Sequence, residues 1–260
     1  MSRTAAGRFD GQVAIITGAA RGMGRTSALA FAAEGATVGL TDVRAELLAG
    51  VADEVHAAGG RAVAVAGDIT DPTTIDRLVN EAKALGPVSI LHNNAGFFHA
   101  APLADHTVED FQALLTVNCV SQFIAAKRVL PEMRAIGRGS IVNVASVMAN
   151  AGLPNFAGYC ASKGAVLAMT RALAYELGPD NIRVNAICPG AVETPMIDDS
   201  VKGLSPEEAK TQLDGFVGRQ ILKRLAAPEE IINLVLFLAS DEASFMTGQL
   251  VTIDGGWTAA

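Results

Sequence analysis

The chain has little that would attach it to nucleic acid or to a membrane. Its formal charge is -7 at pH 7, whereas a nucleic-acid surface needs clustered positive charge to displace counterions from phosphates. We find no uninterrupted apolar run near the eighteen or so residues that span a bilayer. The first residues, MSRTAAGRFDGQ, lack the apolar core of a signal peptide. We therefore expect a cytoplasmic protein with no nucleic-acid or membrane partner.

Cysteine and histidine are scarce and scattered. The three cysteines, Cys119, Cys160 and Cys188, lie far apart in apolar segments and form no C-x-x-C pattern, so we predict reduced core thiols. Cys160 is adjacent to Tyr159, so it could instead lie near a functional site. The four histidines show no metal-ligand spacing, so we expect no metal site.

Aromatic residues are also few, at 5% of the chain, whereas half of the 260 residues are hydrophobic. A composition rich in Ala, Val, Ile, Leu and Gly suits a buried parallel sheet flanked by helices. No Pro/Ser/Gly-rich linker or charge run interrupts the chain from Val13 to Ile253. We therefore predict one domain over 1–260, although two small domains would also fit this length.

Strand-like segments alternate with helical ones. The predicted strands are Val13–Thr17, Thr37–Asp42, Ala62–Asp68, Ser89–His92, Ser140–Ala145, Arg183–Cys188 and Leu250–Asp254. One long helix is predicted from about Thr107 to Met133, and a second, which carries Tyr159 and Lys163, is predicted to end at about Leu177. The segment from Pro189 to Arg219 is predicted to be irregular. Because parallel strands need crossover connections, the pattern predicts an α/β fold: a Rossmann-like, doubly wound, seven-stranded parallel sheet.

Residues with chemical potential gather where the predicted strands end. In doubly wound sheets, ligands bind beyond the carboxyl ends of the strands. A ligand site is therefore predicted at that edge, among Gly18, Asp42, Asp68, Asn93, Ser146 and Pro189.

Tyr159 and Lys163 are four residues apart, a spacing that puts both on one helix face. The ammonium group there can favour the phenolate and lower the tyrosine pKa from its usual value near 10. The phenol would then exchange a proton with a carbonyl or alcohol oxygen. Ser146 precedes Tyr159 by thirteen residues, and its hydroxyl can hydrogen-bond the same oxygen. The Tyr/Lys pair also arises by chance on amphipathic helices, and Ser146 could instead cap a helix.

A glycine turn, Gly18-x-x-x-Gly22-x-Gly24, follows the first strand and opens a helix. Backbone amides there could approach a pyrophosphate, aided by the helix dipole. An ordinary tight turn is the alternative, because the spacing differs from G-x-G-x-x-G. Asp42 favours the nucleotide interpretation, since a carboxylate at the end of the second strand can accept hydrogen bonds from both ribose hydroxyls.

Asp42 also predicts NAD rather than NADP as the cofactor, because a carboxylate there would repel a 2′-phosphate. Arg21 and Arg44 oppose this prediction, since guanidinium groups beside the ribose could hold that phosphate.

These motifs resemble the short-chain dehydrogenase/reductase family, and the resemblance runs from about Phe9 to Trp257. Further residues that carry it are Asp68, Asn93-Asn-Ala-Gly96, Asn118, Tyr159-Cys-Ala-Ser-Lys163, Pro189-Gly190 and Thr194. The resemblance implies an NAD-dependent oxidoreductase acting on CH–OH groups. Tyr159 would be the general acid/base and Ser146 would orient the substrate oxygen. Lys163 would lower the Tyr159 pKa and bind the nicotinamide ribose, and Asn118 would hold a water as a proton relay.

The resemblance also implies the cofactor contacts and a homotetramer built through the two long helices. The implied cofactor contacts, besides Tyr159 and Lys163, are Gly18, Arg21, Gly22, Met23, Gly24, Asp42, Val43, Asp68, Ile69, Asn94, Ala95, Gly96, Pro189, Gly190, Val192 and Thr194. Taken singly, Asn118 could instead bond helix backbone and Asn93-Asn94 could form a turn.

Two segments should form the substrate pocket: Phe97–Leu103, and Val192–Phe216 within a lid at about 190–219. Their apolar residues, Phe97, Met196, Ile197, Leu204 and Phe216, indicate a small to medium, largely uncharged ketone or alcohol. Gly203, Ser205-Pro206 and Asp198-Asp199 make a mobile, closing loop plausible. One alternative is a 3-oxoacyl-thioester reductase using NADPH, which Asp42 disfavours. Another is a non-catalytic dinucleotide-binding regulator, which the intact Tyr/Lys/Ser set disfavours.

Overall fold

A computed structural model describes residues 7–259 of the chain, so residues 1–6 and 260 of the predicted domain lie outside the described range. One sheet holds seven parallel strands in the order β3-β2-β1-β4-β5-β6-β7. The strands are β1 (Val13–Thr17), β2 (Thr37–Asp42), β3 (Arg61–Ala66), β4 (Val88–Asn93), β5 (Gly139–Val144), β6 (Ile182–Pro189) and β7 (Leu250–Ile253). The predicted doubly wound α/β fold is confirmed.

Helices cover both faces of the sheet. They are α1 (Gly22–Ala33), α2 (Ala45–Ala57), α3 (Pro72–Lys83), α4 (Val108–Leu115), α5 (Ser121–Ile136), α6 (Ala157–Leu177), α7 (Pro195–Val201), α8 (Pro206–Val217) and α9 (Pro228–Ala239). One large apolar cluster packs Phe31 and Ile231 against the sheet, and another packs Leu78 and Met133 against it. Strands β1 and β2 are buried along their whole length, and burial on both faces explains why β1 is almost wholly apolar.

The chain reverses its direction of winding between β1 and β4. Strand order runs outward from β1 to β3, and the next strand returns to pair with β1 on its other side. Asn93 pairs with Asn143, and Val144 pairs with Ile187, so the carboxyl ends of β4, β5 and β6 lie level. A crevice therefore opens at this edge, where doubly wound sheets bind ligands.

The predicted helix from Thr107 to Met133 is interrupted by a π-helical turn. Thr116–Val120 forms this turn between α4 and α5, and it carries Asn118. A π-helical turn inserts an extra residue per turn and often occurs at functional sites. The apolar periodicity of the sequence predicts a helix before and after this turn, but it does not reveal the one inserted residue.

The helical run Val108–Ile136 is long and apolar enough, by length and composition, to cross a membrane. Its most apolar 18-residue window has a mean hydropathy of 1.2, and 39% of that window is buried inside the fold. A core helix of a soluble protein passes the same test, so this property is weak support for a membrane span.

The segment predicted to be irregular, Pro189 to Arg219, contains two helices, so that prediction is wrong. Helix α7 starts with Pro195 in its first turn. Helix α8 starts with Pro206 behind a capping box, in which Ser205 accepts a hydrogen bond from the Glu208 amide and the Glu208 carboxylate accepts from the Ser205 amide. These are ordinary helix-start signals that were present in the sequence.

Candidate active site

Two adjoining cavities open at the carboxyl edge of the sheet. We call the larger, of about 490 Å³, the cleft, and the smaller, of about 120 Å³, the pocket. They share part of their walls, including Asn94, Gly96 and Thr194. The cleft is bounded at one end by the glycine turn and Asp42, and the pocket is bounded by Ser146 and Tyr159.

Nearly all predicted cofactor residues line one cavity or both. The cleft has Gly18, Arg21, Gly22, Met23, Asp42, Val43, Asp68, Ile69, Asn94, Ala95, Gly96 and Thr194 in its walls. The pocket has Met23, Asn94, Gly96, Tyr159, Lys163, Pro189, Gly190, Val192 and Thr194 in its walls.

Gly24 lines neither cavity. A Cβ added there would lie 2.0 Å from the Gly18 carbonyl oxygen, so glycine is required for the close packing of α1 against the turn. Gly18 itself has φ +65, and its added Cβ would lie 2.8 Å from the Cα of Ala95. The backbone at the turn is therefore left bare and close to the loop after β4, as close approach of a pyrophosphate requires.

Ser146 caps a turn, which is one of the two roles that the sequence left open, and its place in the pocket is compatible with the other. Its Oγ accepts a hydrogen bond of 3.1 Å from the Met148 amide and so caps the short 3-10 turn Val147–Ala149. The same side chain lines the pocket beside Tyr159. The cap fixes the hydroxyl in place at the end of β5.

Lys163 and Tyr159 lie together on α6, as their spacing predicts. Lys163 Nζ is 5.8 Å from the centroid of the Tyr159 ring and donates a hydrogen bond of 2.8 Å to the Val144 carbonyl. Because Lys163 is buried, its pKa falls to about 8. Its ammonium group is thus held by β5 next to the phenol.

The pKa of Tyr159 moves opposite to the predicted direction. Burial raises the pKa of Tyr159 to about 12, and an interaction with Ser146 offsets only part of this rise. Removing the phenol from water disfavours the phenolate more than its neighbours favour it. In the described structure Tyr159 is therefore a protonated acid.

Asn118 is fully buried and joins the loop after β4 to α6. Its Oδ1 accepts from the Phe97 amide at 2.9 Å, and its Nδ2 donates to the Phe97 carbonyl at 2.9 Å and to Ser162 Oγ at 3.0 Å. The amide lines neither cavity. Its side-chain bonds hold Phe97 and the turn of α6 that bears Lys163, and the implied water-holding role stays a prediction.

Asp42 sits at the end of β2 with its carboxylate surrounded by donors. It accepts from the Ala20 amide at 3.2 Å, from the Arg44 amide at 3.0 Å and from the Arg44 guanidinium at 3.2 Å. Arg21 forms an ion pair of 2.7 Å with Asp199 on α7. Arg21 and Arg44, the two arginines that could hold the 2′-phosphate of NADP, are thus each paired with a carboxylate.

The structure also adds residues that the sequence did not single out. Phe156 and Trp257 line the pocket, and Asp199, predicted only as part of a closing loop, lines the cleft. They come from loops or from the lid, where no periodicity marks a functional side chain. Of the predicted pocket residues, Phe97, Met196, Ile197 and Phe216 are in its walls, whereas Leu204 is exposed elsewhere on the lid.

Comparison with known proteins agrees with this geometry. A family model described as enoyl-(acyl carrier protein) reductase matches residues 18–258. The 3-oxoacyl-[acyl-carrier-protein] reductase FabG of Thermotoga maritima is 40% identical over 96% of this chain and 98% of its own length. The meso-2,3-butanediol dehydrogenase of Serratia marcescens is 39% identical over 97% of each chain.

A solved structure gives the same result. A protein from Burkholderia xenovorans, described as a short-chain dehydrogenase/reductase, superposes with a TM-score of 0.92 at 34% identity, over 98% of this chain and 99% of that one. The sequence match, the fold and the arrangement of Ser146, Tyr159 and Lys163 agree, and the chain belongs to the short-chain dehydrogenase/reductase family of oxidoreductases.

Proposed function

We propose that this protein is an NAD(H)-dependent enzyme that interconverts a secondary alcohol and its ketone, with a substrate of small to medium size and largely apolar character. The observation that carries the proposal is the convergence of Ser146, Tyr159 and Lys163 on an apolar pocket. That pocket adjoins a cleft whose walls carry the glycine turn and Asp42.

The groups that line the cleft are suited to bind a nicotinamide dinucleotide. Bare backbone at Gly18 and Gly22 suits a pyrophosphate, and Asp42 suits the hydroxyls of a ribose. Lys163 and Thr194 stand in the pocket wall, where they would hold the nicotinamide end. Bound NAD(H) would supply the hydride chemistry, which no side chain of this site provides.

The side chains of the site would transfer the proton and orient the substrate. In the reductive direction Tyr159 donates its phenolic proton to the carbonyl oxygen, and Ser146 hydrogen-bonds that oxygen and fixes its position. Lys163, charged and tied to the Val144 carbonyl, stabilises the phenolate that remains. In the oxidative direction Tyr159 accepts the alcohol proton.

Absorbance at 340 nm tests the proposal directly, with a panel of secondary alcohols and ketones and with NAD(H) and NADP(H) in parallel. We expect turnover with NAD(H). The alternative function is a 3-oxoacyl-thioester reductase using NADPH, favoured by the 40% identity to FabG and opposed by Asp42. Faster turnover of acetoacetyl thioester with NADPH than of any simple ketone with NADH would favour that alternative.

The two directions should respond oppositely to pH. Lys163, with a pKa of about 8, is charged below that pH and neutral above it. We therefore predict that kcat/KM for ketone reduction falls as pH rises through about 8. Oxidation needs the phenolate, which increases about ten-fold per pH unit below the Tyr159 pKa of about 12. The oxidation rate should therefore rise up to about pH 8 and level off above it, where Lys163 loses the charge that stabilises the phenolate.

Initial rates in both directions between pH 6 and 10 check this prediction, with thermal unfolding at each pH as the control for stability. A parallel decline in both directions, with no loss of folded protein, would contradict the assigned roles of Tyr159 and Lys163.

We also propose that the protein is a homotetramer that uses the surface of α4, α5 and α6. Val108, Val120, Phe123 and Tyr175 expose between 45% and 89% of their surface there, and clustered exposed apolar groups mark interaction surfaces. Sedimentation should give four times the chain mass of 26.8 kDa. Phe123→Glu should yield smaller species, while Leu47→Glu, at an exposed apolar residue of α2, should leave the tetramer intact. A wild-type monomer would refute the proposal.

A further inference from the structure

Phenylalanines from three separate segments form a cluster beside Tyr159 in the pocket. Phe98 lies in the loop after β4, Phe156 immediately precedes α6, and Phe216 belongs to lid helix α8. The Phe98 ring centroid is 5.8 Å from that of Phe156, 6.4 Å from that of Phe216 and 6.2 Å from that of Tyr159. The Phe156 and Tyr159 centroids are 6.5 Å apart.

The rings meet edge-on or tilted, with interplanar angles from 56° to 77°. Aromatic pairs prefer such angles, so the cluster is held by its own contacts. We call Phe98, Phe156 and Phe216 the phenylalanine wall. Because Phe216 comes from the lid, the wall is complete only when α8 lies over the pocket.

The pocket is small and provides little for a charged group. Its volume is about 120 Å³, and the nicotinamide end would take part of it in the proposed function. Since a cavity of about 150 Å³ holds one benzene ring in an engineered protein core, the pocket has room for no more than one ring of the substrate. Of the described residues that line it, Lys163 is the only charged side chain, and the Val144 carbonyl already accepts a hydrogen bond from its ammonium group. In the proposed function Lys163 also holds the nicotinamide end, so a substrate carboxylate or phosphate would be buried there with no charged partner of its own.

We infer that the substrate is an uncharged ketone or alcohol on a single carbocyclic ring, held against the phenylalanine wall with its oxygen toward Ser146 and Tyr159. This inference rests on the proposed function and narrows it to a substrate class. A ring presents a compact, broad apolar face to the phenylalanine side chains. It also has few internal rotations to lose on binding, whereas a chain of equal carbon count must freeze several.

Two ketones with six carbons each, cyclohexanone and 2-hexanone, test the inference with NADH at 340 nm. We expect kcat/KM for cyclohexanone to be higher by about ten-fold or more. The anion 4-oxocyclohexanecarboxylate, which keeps the ring, should be a poorer substrate than cyclohexanone by a similar factor. Equal or faster turnover of 2-hexanone would overturn the inference and leave the proposed function standing.

Substitutions in the phenylalanine wall test whether the wall causes the preference for the cyclic ketone. Phe216→Ala should bring the cyclohexanone to 2-hexanone ratio close to one, and Phe216→Leu, which keeps apolar volume, should give an intermediate ratio. Phe245→Ala, at a fully exposed phenylalanine after α9, is the matched control and should leave the ratio unchanged. An unchanged ratio in Phe216→Ala would contradict a role for the wall.

Ligand binding can be measured apart from turnover. Trp257 is the only tryptophan of the chain, is buried and lines the pocket, so its fluorescence reports occupancy. Cyclohexanone should perturb this fluorescence at lower concentration than 2-hexanone does. Such binding without turnover of any ketone would support the ring site and refute the proposed function. Binding of both ketones at equal concentration would refute the ring site.

Discussion

Tyr159→Phe should lower kcat in both directions by about 10²- to 10⁴-fold, the range that general acid–base catalysis contributes. The substitution removes one oxygen atom. The remaining ring keeps its contacts with Phe98 and Phe156, so the shape of the pocket should be preserved. Hydride transfer would then have no acid at the carbonyl oxygen, because the Ser146 hydroxyl can donate a hydrogen bond to that oxygen but is too weak an acid to give up its proton.

The chain supplies its own control for this variant. Its second tyrosine, Tyr175, lies on the same helix and is 89% exposed, so Tyr175→Phe should retain wild-type rates. NADH affinity, measured by fluorescence titration, and the thermal unfolding temperature should be unaffected in Tyr159→Phe. Turnover in Tyr159→Phe within a few-fold of wild type would refute the acid/base assignment, whatever the substrate.

The sheet was predictable because its strands are short apolar runs that end at residues with a clear turn preference. Strands β1 and β2 have the predicted bounds. The third strand was predicted to reach Asp68 but ends at Ala66. Asp68 instead accepts hydrogen bonds from the Thr70 amide and hydroxyl, which turns the chain. Local side-chain bonding of this kind competes with the sheet and leaves no mark in the apolar pattern.

The candidate site was predictable to the extent that strand ends meet at one edge. That rule brings the glycine turn, Asp42 and Ser146 to one place. It does not predict the orientation of a side chain. Thus Asn118 was correctly singled out as unusual, but its bonds to Phe97 and Ser162 depend on a π-helical turn.

The direction of the Tyr159 pKa was wrong because burial is a property of the whole fold. The i, i+4 spacing gives the distance to Lys163, but the loss of water around the phenol depends on residues far apart in the chain. The phenylalanine wall is a similar case, since Phe98, Phe156 and Phe216 meet only after two loops and the lid have folded. Long-range packing of this kind carries no local sequence signal.

Asp42→Asn should reverse the cofactor preference of the enzyme. The carboxylate makes charge-assisted hydrogen bonds, which are worth roughly 1.5–3 kcal/mol when lost, so NADH affinity should fall by about 10- to 100-fold. NADPH affinity should rise, because the repulsion of the 2′-phosphate disappears and the Arg44 guanidinium, now 3.2 Å from the carboxylate, is released. Asparagine is nearly isosteric, and its side-chain oxygen can still accept from the Ala20 or Arg44 amide.

Asp199→Asn should add to this reversal, since Asp199 pairs with Arg21 across the cleft at 2.7 Å. Freed from that pair, Arg21 becomes a second cation available to a 2′-phosphate. The effect should be only a few-fold, because exposed ion pairs are weak. Asp198→Asn, at the neighbouring exposed carboxylate of α7, is the matched control. Fluorescence titration of each variant with NADH and NADPH, without substrate, measures both affinities. A wild-type preference for NADPH, or an unchanged preference in Asp42→Asn, would mean that Asp42 does not select the cofactor.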